Sequence, residues 1–364
     1  MAVYKIFASA DASIYSSDIG KNTGLDSILE VGVKNYTATT NGIYLSHYVE
    51  DLRRSLVKFS DTDLATIQSL STGSSFQANL RLYLASAENL ATTYSLEFHQ
   101  ISQSWDMGTG KYVDYPETIN GVCWNSPTAY VTQSNTTWVN TSYYTIPGGG
   151  SRTGLYTTQS FSYSSDKDIN ANISSIVRSW FSGSAANNGI LVKYPTSIEN
   201  NSGSYIETKF FSTDTHTIYP PTLEIKWDDS VYITGSLITG SEFVINFANN
   251  KNEIKYGTEK YKVRLATRNT FPTRQFVTSS IYLNTLLLPS SSYWAIQDYK
   301  TEEMVIDFDT NYTKLSSDGT YNYFYLYANG LEPERFYKLL IQVITPVTNE
   351  KINIDSNLIF KIVR

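Results

Sequence analysis

Apolar side chains in this chain recur at every second position over short runs, and that period restricts it to strands. Leu80, Leu82 and Leu84 alternate with Asn79, Arg81 and Tyr83. Successive side chains of a strand point to opposite faces, so the pattern buries one face and leaves the other polar. Apolar runs at 3–7, 28–33, 55–59, 96–101, 189–194, 206–211 and 222–227 fit the same reading. One segment breaks the rule. Ile169, Ile173, Ile176, Val177, Trp180 and Phe181 recur at helical spacing, with Asp168 placed to cap the start and Gly183 to end it.

Beyond Asp228 a second set of runs appears at 242–247, 261–267, 293–298, 304–309, 321–327, 336–343 and 359–363. Seven strands separated by turn residues suit a β-sandwich. The fold class expected is therefore all-β. A jelly-roll β-sandwich with one short helix spans 1–228, and a second β-sandwich domain spans 229–364. Residues 102–165 form a long insertion rich in Gly, Asn, Thr and aromatics, with Pro116, Pro127 and the turn Pro147-Gly148-Gly149-Gly150. A segment that long is either functional or holds short strands of its own.

Composition supports this and excludes several functions. Tyr (29) and Phe (16) abound while charged residues make up only 17%, which favours pleated sheets over solvated helices. The formal net charge is −6; residues 1–228 carry 20 acidic and 14 basic groups, and the remainder is balanced. That balance gives no footprint for nucleic acid or an anionic membrane. Arg53-Arg54 is the only adjacent basic pair and reads as strand-edge charge. A single cysteine, Cys123, rules out an internal disulfide. The N-terminus has neither a basic n-region nor an apolar h-region, and no apolar run is long enough to span a bilayer. The expectation is synthesis in a cytoplasm without export.

No constellation of catalytic residues stands out. His47, His99 and His216 lie far apart, and His99 shares a strand face with Glu97. A Cys123–His99 nucleophile pair has no local signature, and Cys123 reads as a small buried residue. Gly108-Thr109-Gly110-Lys111 lacks the spacing, the following Ser or Thr and the helix of a phosphate loop. Asp307 and Asp309 fall on one face of a strand. Asp166, Asp168 and Asn170 offer oxygens to calcium, but over too short a span for an EF-hand. No catalytic, cofactor or metal site is assigned. The aromatics Tyr112, Tyr115, Trp124, Tyr130 and Trp138 share the long insertion. They form a mini-core, a protein interface or a glycan-stacking platform.

A family resemblance runs along the first half. Ala10-Asp11-Ala12 opens it, then Asn22-Thr23-Gly24 precedes Leu29-Glu30-Val31. Ser55-Leu56-Val57-Lys58-Phe59, the strand at 78–84 and Trp105 follow. The helix ending Ser179-Trp180-Phe181 comes before Asn188-Gly189-Ile190-Leu191, and the segment 220–227 closes the half. This order resembles the DNRLRE-type, disaggregatase-related jelly roll, a relative of carbohydrate-binding modules. Residues 103–111 with Pro116 and Gly121-Val122-Cys123-Trp124 are similar to virion structural proteins of marine contractile-tailed phages. So are Phe271-Pro272-Thr273-Arg274, Leu288-Pro289, Tyr293-Trp294, 306–309, 330–337 and 359–364. The resemblance implies a non-enzymatic particle component at the neck, collar, tail or baseplate. Its expected partners are other virion proteins and copies of itself in a symmetric ring. The alternative is an adhesin module that recognises a host surface polysaccharide.

Overall fold

The protein is described by a computed structural model. The structure describes residues 2–40, 43–71, 75–130, 137–139, 147–201, 203–238, 242–249, 252–257, 260–271, 285–344 and 349–364, with the backbone alone at 36–40, 43–49, 356 and 357. Pro272, Thr273 and Arg274 lie outside the described residues, as does the side chain of His47. Strands dominate and are organised in several sheets, so the chain is all-β with a jelly-roll-like, sandwich character.

The chain forms two compact units, and neither is one stretch of sequence. The first comprises Ile6–Leu70 and Gln77–Glu224; the second comprises Met1–Lys5, Ser71–Phe76 and Ile225–Arg364. The break expected near Asp228 falls between Glu224 and Ile225, where the chain enters the second unit for the last time.

Among the described residues twelve strands lead through the first half: β1 (Ala2–Phe7), β2 (Ala10–Tyr15), β3 (Ile28–Thr40), β4 (Ile43–Lys58), β5 (Phe76–Leu82), β6 (Leu84–Glu88), β7 (Thr93–Ile101), β8 (Ser151–Ser162), β9 (Ile169–Asn172), β10 (Ile190–Lys193), β11 (Tyr205–Phe211) and β12 (Thr222–Trp227). One sheet has the order β1-β12-β5-β9. The other runs β6-β11-β3-β4-β10-β7-β8, with β2 also on β4. β4 is long enough to serve two partners. It pairs with β3 as far as Gly32↔Arg53 and with β2 from Tyr15↔Arg53 to Ala10↔Lys58. The alternating leucines behave as their period requires, with Leu80 and Leu82 buried on β5.

Among the described residues three helices interrupt the strands where one was expected: α1 (Asp61–Leu70), α2 (Ser174–Phe181) and the single turn α3 (Thr196–Glu199). α1 buries only Leu64 and Ile67, too sparse a stripe to register as a helical period. α2 starts a turn later than its apolar spacing suggests. Ile169 and Ala171 are buried while Asn170 and Asn172 are exposed, which is strand alternation, and β9 pairs with β5 there. Asp168 is therefore no cap. Its carboxylate accepts the Leu84 N–H at 2.7 Å, and Asn172 Oδ1 instead receives the N–H and hydroxyl of Ser174. Gly183, at φ +70°, ends the helix as expected by donating its N–H to the Trp180 carbonyl.

Among the described residues the second unit holds a sandwich of two five-stranded sheets. β13 (Tyr232–Ile233), β14 (Phe243–Phe247), β16 (Tyr261–Asn269), β19 (Ser316–Asp318) and β20 (Asn322–Leu326) take the order β13-β19-β20-β16-β14. β15 (Glu253–Lys255), β17 (Ser292–Asp298), β18 (Met304–Ile306), β21 (Phe336–Ile344) and β22 (Lys351–Val363) take the order β15-β22-β21-β17-β18. Val263, Leu265 and Phe324 from one sheet meet Trp294, Ile296, Leu339 and Ile341 from the other in one core. The Trp294 and Phe324 rings stack at 4.4 Å. Val3 belongs to the same core, and Tyr4 packs its ring 5.1 Å from Tyr327. β18 stops at Ile306, so Asp307 and Asp309 are not strand neighbours; Asp309 instead accepts the N–H groups of Asn311 and Tyr312 in a turn.

Candidate functional site

The long insertion is a lid over one face of the larger sheet of the first unit, and its sequence explains why it carries few strands. Among the described residues of the insertion only β8 is regular. Backbone polar groups in such a segment must find partners locally. Ser102 N–H donates to the Gly150 carbonyl, Asp106 N–H to Pro127, Val122 N–H to Asp106 and Gly148 N–H to Trp124. Gly148 and Gly149 adopt φ of +86° and +89°, and a side chain at Gly149 would press on Leu191 and Ile14 of the sheet.

The anchor of this lid is Asn22, which is fully buried. Its Nδ2 donates to the carbonyls of Met107 at 2.8 Å and Val122 at 2.9 Å. Its Oδ1 accepts the N–H of Gly110 at 2.8 Å and of Gly24 at 3.4 Å. Four glycines make room for it, since a Cβ on Gly24, Gly108, Gly110 or Gly121 would overlap Asn22 or the backbone beside it. The neighbouring Thr23 ties the turn back to β2, donating to the Ser13 carbonyl at 2.6 Å and accepting the Ser13 N–H. The Gly108–Lys111 segment thus spends its N–H groups internally: Thr109 on Asn120, Gly110 on Asn22, Lys111 on Asp114.

The five aromatics separate into two groups. Trp138 is fully buried and donates its indole N–H to the Cys123 carbonyl at 3.0 Å. Trp124 is buried with the Arg54 guanidinium 4.9 Å above its ring. These two, with Val122 and Cys123, are the mini-core of the lid, turned away from solvent. Tyr112 is 40% exposed; it packs on Tyr15 at 4.8 Å, donates its hydroxyl to Asp18 and lies under the Lys21 ammonium. Tyr115 is 98% exposed. Tyr130 is half-buried beside Ile19 and Ile119 in a shallow groove of about 530 Å³, with Asp18 and Glu117 on its rim.

Three apolar residues the periodicity gave no reason to select, Ile19, Val113 and Ile119, join the tyrosines at this surface; Val113 is 83% exposed. The groove holds Ile19 and Ile119 together, while Val113 and Tyr115 flank Asp114 in the adjoining turn, whose carboxylate accepts the N–H of Lys111 and the hydroxyl of Thr118. The surface is cross-braced by Asn125 N–H to Ile19, Tyr130 N–H to Ile119 and Asn22 N–H to Thr118. It presents apolar area on a backbone that is already fixed, which is what a docking surface needs.

The charged groups nearby are committed to one another. Arg53 and Arg54 are not edge charges, because β4 is flanked on both sides. Neighbours on a strand face opposite ways, and each arginine anchors its own network. Arg53 pairs with Asp51 and Glu30 at 2.8 and 2.7 Å and with Glu207. Burial alone would raise the Glu207 carboxyl, but Lys34, Arg53 and Lys209 around it bring it below the usual range. Arg54 grips Glu199 with two nitrogens at 2.9 and 2.8 Å, and Lys193 links Glu199 to Glu97.

His99 hydrogen-bonds Glu97 at 2.9 Å and stacks on Tyr156; burial outweighs that carboxylate and lowers its pKa. Cys123 is buried, which pushes its thiol up and away from nucleophilic character. Asp168 and Asn170 point their oxygens at Leu84 and Asn79. Among the described residues no group of three or more His, Cys, Asp or Glu could hold a metal ion, and no helix is long and apolar enough to cross a membrane.

No protein-family model matches the chain, and no curated protein matches it.

Proposed function

We propose that the chain is a non-enzymatic structural component of a tailed-phage virion, working by docking onto copies of itself and onto neighbouring particle proteins. The assignment to a virion rests on the resemblance carried by residues 103–124 and the second half. The observation that carries docking is the surface of Ile19, Tyr112, Val113, Tyr115 and Ile119, exposed on a segment pinned by Asn22. Exposed aromatic and branched side chains on a pre-ordered backbone gain contact area with little entropy to lose. The buried arginine networks beneath hold the platform in place rather than reacting with anything.

The test uses the full-length protein in sedimentation and pull-down measurements against separately purified particle proteins. The reading expects self-association or capture by a particle protein, weakened by Tyr115→Ala. A monodisperse monomer that binds none of them would overturn it. A glycan-array signal abolished by Tyr115→Ala would instead assign the surface to a polysaccharide.

A further inference from the structure

The outer face of the sheet β13-β19-β20-β16-β14 is basic, although the second half of the chain is neutral as a whole. Val263, Leu265 and Thr267 of β16 are buried, so Lys262, Arg264 and Arg268 occupy the other face, with Lys260 just ahead of the strand. β20 lies alongside in the register Lys262↔Tyr325 and Arg264↔Tyr323. The ammonium of Lys262 sits 3.6 Å from the Tyr323 ring centre and that of Lys260 sits 3.9 Å from Tyr325, the two rings being edge-on to each other. The lysines are thereby held over a rigid aromatic floor instead of sweeping through solvent. Asp318 answers Lys262 and Arg264 only loosely, at 3.7 and 3.8 Å, Asp229 is near Tyr323, and Glu242 precedes β14.

The docking surface of the first unit has the opposite sign. Asp18, Asp26, Asp114 and Glu117 surround its apolar residues against Lys21 and Lys111, and Glu117 is held only at 3.5 Å by Lys21. We infer that the acidic, aromatic surface around Tyr115 of one copy of this chain docks on the Lys262–Arg264 face of the next copy, making a head-to-tail contact. This rests on the docking reading above and names its partner. Charge complementarity selects a second copy with unlike surfaces in contact, since each patch repels itself and a two-fold dimer through either one is disfavoured. A contact between unlike patches repeats from copy to copy and closes into a ring when the rotation permits.

Mass photometry and sedimentation velocity of the full chain at low and high salt test the contact. Self-association is expected, weakening as salt rises. Lys262→Glu with Arg264→Glu is expected to weaken it by about tenfold or more, and so is Asp18→Lys with Glu117→Lys. Mixing the two variants restores matching charges at every junction, so association must return in the mixture though each alone stays monomeric. Tyr115→Ala, whose side chain is almost wholly in solvent, covers the case in which the acidic variant fails to fold. Unaltered association in all three variants, or no recovery on mixing two folded monomers, overturns the contact but leaves docking by another surface intact. A wild-type monomer at every concentration also overturns it. The docking reading falls with it only when no particle protein is captured either.

Discussion

Replacing Asn22 by alanine removes two donors and an acceptor from a site with no access to solvent. The carbonyls of Met107 and Val122 lose their partner, as does the N–H of Gly110. A buried polar group left unpaired costs about 1–3 kcal/mol, and a water entering the vacated space recovers part of that. The expected loss is therefore about 3–5 kcal/mol from the first unit. Asn22→Asp should cost at least as much at neutral pH, because it turns an oxygen toward two carbonyls. Urea unfolding at about 25 °C gives the energy by linear extrapolation. Hydrogen exchange over residues 105–125 gives the location, with the Gly110 and Val122 amides losing protection first. A loss below about 1 kcal/mol at unchanged denaturant slope, or unchanged exchange at Gly110, would refute the claim that Asn22 holds the lid.

Three further outcomes follow from the same geometry. Asp11 is buried and its pKa is raised to about 7 despite hydrogen bonds from Thr213. A folded-state pKa above the unfolded value means full stability below about pH 4 and a decline through pH 7, worth roughly 4 kcal/mol. Asp11→Asn should therefore gain on the wild type progressively from pH 4 to 7, and a flat difference in thermal melts speaks against this. Arg53→Met strands Glu207 in the interior and should cost about 3 kcal/mol, with Lys34 and Lys209 preventing a larger loss; a denaturation series showing no change would contradict the network. Trp138→Phe should destabilise by about 1–3 kcal/mol without weakening docking, whereas Tyr115→Ala should do the reverse, with stability within about 0.5 kcal/mol of wild type.

The strands were legible because period-two alternation is a local property: Leu80 and Leu82, Val263 and Leu265, Leu339 and Ile341 each declare a buried face without reference to the rest. α2 was legible in part, since Ile173, Ile176, Val177 and Trp180 share a helical stripe. Its false first turn arose because Ile169 satisfies both periods and only pairing with Leu82 decides. The site was less readable. Five aromatics in one insertion marked the region, but nothing in the spacing separates Trp124 and Trp138, which face inward, from Tyr112 and Tyr115, which do not. The backbone of that insertion is held by Asn22, about a hundred positions away from Val122 along the chain. Arg53 and Arg54 looked peripheral for a similar reason: their acidic partners Glu199 of α3 and Glu207 of β11 are far away in sequence.

Val3 and Tyr4 have a consequence for how the protein can be divided. They precede the first unit in sequence, yet Val3 shares a core with Trp294 and Phe324, and Tyr4 meets Tyr327 and Asn329. The second unit therefore draws on segments from both sides of the first unit in sequence. A polypeptide cut after Asp228 would leave the first unit whole but deprive the second of Met1–Lys5 and Ser71–Phe76, and supplying 1–228 in trans would have to mend it.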